Sequence, residues 1–186
     1  MAAVRLRGIL PEFGGSAVVH WRSFPLLPHH LPGNRVSPRA LRGRAQAAEA
    51  EPACGITPWS GDGYPTSSLP ALEAARCAAR QGVEAFDRFD MALFRAFFRE
   101  SRDISDKDVL LGLADSVGLD TRRLEQDMQS GVERQALLEE YEVARDAYSS
   151  MALGIPFMVI NGSYPLIGAL PADMYRRAVQ RALSEN

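Results

Sequence analysis

Two thiols, three imidazoles and one proline-led hairpin are the residues of this chain whose types and spacing could do chemistry. Cys54 and Cys77 are its only cysteines. Thiol–disulfide exchange needs a low-pKa thiolate and a resolving thiol within reach, most compactly as Cys-x-x-Cys. Here 22 residues lie between the two, so the chain carries neither a redox pair nor a zinc motif. A structural disulfide would be the one remaining pairing, and a reducing compartment disfavours it. The expectation is two unrelated, partly buried thiols. Cys77 falls mid-helix in LEAARCAARQG, spaced from Ala74 and Ala78 as a core position. It lacks the helix N-terminus that would activate a thiol, although Arg76 and Arg80 are close in sequence. Cys54, in Pro-Ala-Cys-Gly, reads as an exposed loop residue open to incidental oxidation. Joining it to His20, His29 and His30 gives no known zinc spacing, so packing or surface roles are expected for all three histidines.

The stretch with a sharper chemical reading is Met151 to Gly168, MALGIPFMVINGSYPLIG. Phe157-Met158-Val159-Ile160 is a short apolar run of strand type. Asn161-Gly162 most favours a two-residue hairpin turn, because both central positions need positive φ. Ser163 to Ile167 is then the returning strand. Pro165 within it has no N–H and assigns that strand to a sheet edge. Asn161-Gly162-Ser163 also fits a glycosylation sequon, for which the turn is sufficient explanation. Before the first strand stands Ile155-Pro156, an X-Pro bond that adopts cis at modest cost. A cis proline there would leave the preceding amide and carbonyl open to an extended peptide added as a strand.

From these residues the chain resembles the DsbA-like thioredoxin-fold family. Gly-Ile-Pro-Phe-Met-Val-Ile-Asn-Gly, then Ile-Gly-Ala and a C-terminal helix, is similar to the second half of that fold. The resemblance extends from Trp21-Arg22-Ser23-Phe24-Pro25-Leu26 through Leu93 to Phe98 and Asp103-Ile104-Ser105-Asp106, nearly the whole chain. The branch it looks most like holds the FrnE-type dithiol oxidoreductases and the 2-hydroxychromene-2-carboxylate isomerases. The resemblance implies that Ile155 and Pro156 are substrate-binding, with the proline cis. It implies no catalytic residue here, because the family's Cys-x-x-Cys has no match. In relatives the first strand and that motif stand immediately before the first helix, and here the helix begins almost at Met1. The family's first strand is central, between the second and third. Its absence would leave both neighbours with unpaired ladder groups, each costing about 1–3 kcal/mol when buried. The expectation is therefore either a new strand pairing or, as the favoured account, an incomplete reading of a longer protein.

The elements that must position the hairpin are legible in the rest of the chain. Ala2 to Phe13 has helical spacing through Val4, Leu6, Ile9 and Leu10, irregular at Pro11 and stopped by Gly14-Gly15. Ala17 to Phe24 reads as a strand. Leu26 to Gly63 is rich in proline, with a helix from Arg39 to Ala50. Its Arg35, Arg39, Arg42 and Arg44 are expected on a solvated face. Ser68 caps a helix that runs to Gly82. Val83 to Arg99 is the strongest helix, with Phe86, Phe89, Leu93 and Phe97 in a stripe widened by Phe94 and Phe98. Ser105 with Asp108 opens a helix over Lys107 to Val117. Asp120 caps Thr121 to Ser130, and Val132 to Ser149 is a long helix with Leu137, Leu138, Tyr141 and Ala144 inward. Pro171 opens the last helix, with Met174, Tyr175, Ala178, Val179 and Leu183 on its buried face.

Bulk properties narrow the classes. The 186 residues are 46% hydrophobic and 24% charged, with net charge −2, ordinary for a globular domain. That charge gives no case for nucleic acid or membrane binding. No apolar run approaches a bilayer span and the N-terminus is a poor signal peptide, so the cytoplasm is the expected location. The expected fold class is α/β: a thioredoxin-like core of residues 1–32 and 149–186, its first, central strand missing, around an inserted α-helical domain of 33–148. By resemblance the function is thiol–disulfide oxidoreductase, inactive as written without the Cys-x-x-Cys. The alternatives are a glutathione-dependent isomerase or a redox-inactive module for peptide binding or dimerisation. Expected partners are a thiol- or disulfide-containing protein or glutathione as co-substrate, with a homodimer an option, and no metal or other cofactor.

Overall fold

Caps and breakers set the helix boundaries. The computed structural model describes residues 1–26, 28–29, 37–151 and 154–185, with the side chains of 147–151 outside the description. Arg35, His30 and the approach residues 152–153 therefore lie outside the described residues. Helix α1 spans Ala2–Ile9 and tightens into a 3₁₀ turn over Leu10–Phe13, closed by Gly14 at φ 55°. Helix α2, Pro38–Ala50, opens on Ser37, whose hydroxyl accepts from Ala40 N at 3.1 Å. Helix α3 is Leu69–Ala79. The expected cap from Ser68 falls to its neighbour, since Leu69 N donates to Ser67 Oγ at 3.1 Å. Helix α4 is Val83–Phe98 and α5 is Lys107–Ser116. Asp106, not Ser105, caps α5 by accepting from Asp108 N at 2.7 Å and Val109 N at 3.4 Å. Ser105 is instead turned back onto Asp103 Oδ1 at 2.5 Å. Asp120 caps α6, Thr121–Ser130, as expected, and α7 spans Val132–Met151.

The chain divides into two compact units, Ser23–Glu142 and Met1–Arg22 with Val143–Asn186. The first is all-helical among its described residues. Small residues on α3 (Ala71, Ala74, Ala75, Cys77, Ala78) let α4 approach closely, and α4 answers with Ala85, Phe89, Ala92, Leu93 and Ala96. Leu110, Leu113 and Ala114 of α5, Leu119 and Leu124 of α6 complete the core. Phe89 is fully buried at its centre, which matches the stripe expected on α4, whereas Phe94 is exposed. Leu137 is buried on α7, but Ala144 is exposed rather than inward.

The second unit holds the sheet. Strands β1, Phe157–Ile160, and β2, Tyr164–Ile167, pair antiparallel. Helix α8, Ala172–Ser184, packs against α1 and β1. Its inward face is Tyr175, Ala178, Val179 and Ala182, the i, i+3, i+4, i+7 set, while Met174 and Leu183 fall outside that stripe and are exposed. Leu6 and Ile9 of α1 bury against Tyr175, with Met158, Leu166, Leu170 and Phe13 packed around them. Ala17 to Phe24, expected as a strand, has no regular secondary structure and joins no ladder; Val18 is 74% exposed. A strand is a paired state, and among the described residues no strand runs beside this segment.

Candidate functional site

The hairpin carries Ile155–Pro156, and its register explains how that pair is held. Asn161 and Gly162 take positive φ, 47° and 72°, and Ser163 N donates to Ile160 O at 3.1 Å. The turn is thus where the Asn-Gly dipeptide placed it. The ladder, however, pairs Ile160 with Tyr164 and Phe157 with Ile167, leaving Ser163 outside and shifting the expected two-residue register by one. Pro165 supplies the reason. In the expected register it would oppose Met158 at a position that must donate into the ladder, and proline cannot. In the observed register it opposes Val159, and Gly168 N donates to Pro156 O at 2.8 Å. Ladder bonds therefore fall on residues 156, 158 and 160, and the nitrogen of Pro165 points outward, where nothing is lost.

The Ile155–Pro156 peptide bond is cis. Pro156 sits at a bonding position and lacks the N–H that would answer Gly168 O. Tyr175 of α8 fills that role: its buried hydroxyl donates to Gly168 O at 3.0 Å and accepts from Leu170 N at 3.1 Å. Arg5 of α1 donates from Nη1 to Ala169 O at 2.7 Å and Leu170 O at 2.8 Å. Residues 168–170 are thus tied from both helices, and they in turn fix Pro156. No hydrogen bond reaches the Ile155 amide or carbonyl among the described residues, and the Ile155 side chain is 38% exposed. Sequence reasoning read Tyr175 only as a core residue and missed the role of its hydroxyl.

The thiols lie elsewhere and are poor nucleophiles. Cys77 is fully buried in α3, and burial, with the nearby Glu73 carboxylate second, pushes its thiol up to about 12. Cys54 ends a 3₁₀ turn over Pro52–Cys54 and is half-buried rather than exposed. Burial, then a hydrogen bond with Glu51, raises its pKa as well. Both shifts lower the thiolate fraction that exchange requires. Among the described residues no group of three or more His, Cys, Asp or Glu is arranged to hold a metal ion.

One arginine overturns its expected setting. Arg39 and Arg42 are exposed, but Arg44 is only 7% exposed. Its Nε donates to Thr57 O, and Nη2 donates to Phe97 O at 2.9 Å and Phe98 O at 2.5 Å. The guanidinium also lies against the rings of Trp59, Phe97 and Phe98. The cation thus occupies the negative C-terminal end of α4 and ties α2 to it.

A cis-proline hairpin packed by flanking helices, with a helical segment between the chain ends that build it, defines a thioredoxin-like α/β fold. The chain belongs to the DSBA-like thioredoxin domain family, whose model matches residues 2–180. Among solved structures it is similar to a candidate protein disulfide isomerase from Nitrosomonas europaea, at 18% identity and TM-score 0.71, covering 99% of this chain and 90% of that one. It is also similar to the cytosolic disulfide reductase DsbM from Pseudomonas aeruginosa, at 18% identity and TM-score 0.67, covering 100% and 93%. The same reductase solved with GSH matches at TM-score 0.65 and 18% identity, covering 98% and 92%. At these identities the likeness is one of fold. In sequence, the chain is 34% identical over 95 residues to the uncharacterised protein YwbO of Bacillus subtilis (strain 168). That match spans 49% of this chain and 44% of YwbO. No helix among the described residues is long and apolar enough to cross a membrane.

Proposed function

We propose that this chain is the substrate-presenting part of a thiol–disulfide oxidoreductase scaffold, holding a cysteine-bearing extended peptide or glutathione at Ile155–Pro156. The observation that carries the reading is the Ile155 backbone, unpartnered among the described residues, beside a turn fixed by Tyr175 and Arg5, in a chain that matches a disulfide-chemistry family. An extended peptide satisfies such groups by accepting from the amide and donating to the carbonyl. Cys54 and Cys77 take no part in exchange, since burial raises the pKa of both thiols and Cys77 is inaccessible. A cytosolic relative of the same fold supports a cytoplasmic setting, and its complex with GSH supports glutathione as co-substrate.

Two measurements test this. Calorimetric titration with glutathione and with a cysteine-containing extended peptide should show saturable binding; absence of heat with both overturns the substrate-presenting reading. In insulin reduction driven by dithiothreitol, the protein should match its Cys54→Ser, Cys77→Ser double variant. Turnover above that variant would assign exchange to one of these thiols.

A further inference from the structure

Helix α7 is attached to the helical unit in a different way from its neighbours. The backbones of α4, α5 and α6 lie close to α3, and among the described residues α7 is not in that set. Among the same residues no α7 side chain belongs to the core centred on Phe89, and Leu137 is the only fully buried one on α7. Charge takes the place of the apolar seam. Glu73, Arg76 and Arg80 recur at spacings of three and four and so share one face of α3. Glu133 and Glu140 stand seven apart, two turns along one face of α7. Arg76 donates from Nε to Glu133 Oε2 and from Nη1 to Glu140 Oε2, each at 3.0 Å. Arg80 Nη1 donates to Glu133 Oε1 at 3.4 Å, and its Nε lies 3.5 Å from Asp127 of α6. Arg134 reverses the polarity, donating from Nε and Nη2 to Glu73 Oε2 at 2.8 and 2.6 Å. These pairs are not alike. Glu73 is wholly buried and its Oε1 has no hydrogen-bond partner among the described residues, so its charge rests on Arg134. The side chains of Glu133, Arg76, Glu140 and Arg80 are 18%, 22%, 36% and 46% exposed, within reach of dissolved ions.

We infer that the first half of α7, residues 132–142, is an ionic strap: Glu73, Arg76 and Arg80 clasp it to α3, and it lifts as one piece when ionic strength rises, while α3 to α6 stay folded. The strap lies within the helical unit and is independent of the proposed role of Ile155. Its buried pair, Glu73 with Arg134, fixes where α7 lands. The outer pairs set how much salt lifts it, because screening weakens attraction between partly exposed charges and leaves an apolar seam intact. Lifting hydrates Glu73 and uncovers the charged face of α3.

The test is native-state amide exchange on the full chain in about 0.05 M and about 1 M sodium chloride, a range over which the screening length shrinks to about 3 Å. Rates are corrected for the intrinsic effect of salt, measured on short peptides of the same sequence. Exchange at residues 137–141 should accelerate about tenfold, the order expected when three part-buried pairs weaken together, while α3 and α4 amides keep their rates. Arg76→Gln removes two of the outer pairs and should give fast α7 exchange already at low salt, with a smaller salt response. If that variant does not fold, the salt series on the parent protein decides. Exchange on α7 that salt leaves unmoved or slows would show an apolar seam and overturn the strap. Equal acceleration on α3, α4 and α7 would make the unit one cooperative body and overturn it too.

Discussion

Cys77 and Arg44 show how burial decides what a reactive residue type becomes. With its thiol pushed up to about 12 from an ordinary value near 9, Cys77 is protonated in the folded chain wherever the unfolded chain begins to ionise. Its contribution to stability is complete below pH 9 and is lost as pH rises from there toward 12. Alkaline titration of unfolding should therefore be less steep for Cys77→Ala than for the parent. Iodoacetamide at neutral pH should label Cys54 slowly and Cys77 only on unfolding. Arg44→Met should cost about 2–3 kcal/mol in denaturant unfolding, because two carbonyls at the α4 end and that of Thr57 lose a charged donor. Arg44→Lys should recover little, since an ammonium cannot span them as a planar fork does. The Cys77 environment was legible because its neighbours are local, at helical spacing. That of Arg44 was not, because its partners lie 13 to 54 residues away and are backbone carbonyls, which leave no mark in a sequence.

At the scale of elements, the helices were legible from apolar spacing and breakers, and the hairpin from one dipeptide. What failed were the pairings. A strand is specified by its neighbour, so Ala17 to Phe24 had strand composition without a ladder to join. The hairpin register turned on a conflict between two local signals, Asn161-Gly162 favouring two residues and Pro165 forbidding that parity. The conflict gives a discriminating substitution. With the nitrogen of residue 165 pointing outward, Pro165→Val should leave stability within about 0.5 kcal/mol. In the two-residue register it would instead restore a ladder bond and stabilise by about 1 kcal/mol. Removing the caps, by Asp106→Ala or Asp120→Ala, should each cost about 1 kcal/mol.

At the scale of the whole molecule, the two units rest on cores of different size. Among the described residues the helical unit buries a connected set from Ala71 to Leu124, centred on Phe89, whereas the unit with the hairpin is built on Leu6, Ile9 and Tyr175. Less buried apolar surface means less free energy against opening, so the candidate site sits on the weaker unit, as ligand-binding elements commonly do. Native-state hydrogen exchange should find the slowest amides on α3 and α4 and faster ones on β1, β2 and α8. Tyr175→Phe tests whether the units open separately. It keeps the ring in place but removes the hydroxyl shared by Gly168 O and Leu170 N, which keep only their bond to each other, at a cost of about 1 kcal/mol. Exchange on β1 and α8 should accelerate accordingly, while α3 and α4 amides keep their rates. An equal acceleration in both would mean that the Tyr175 turn is part of one cooperative body, and peptide binding at Ile155 would then stabilise the entire chain rather than its hairpin unit.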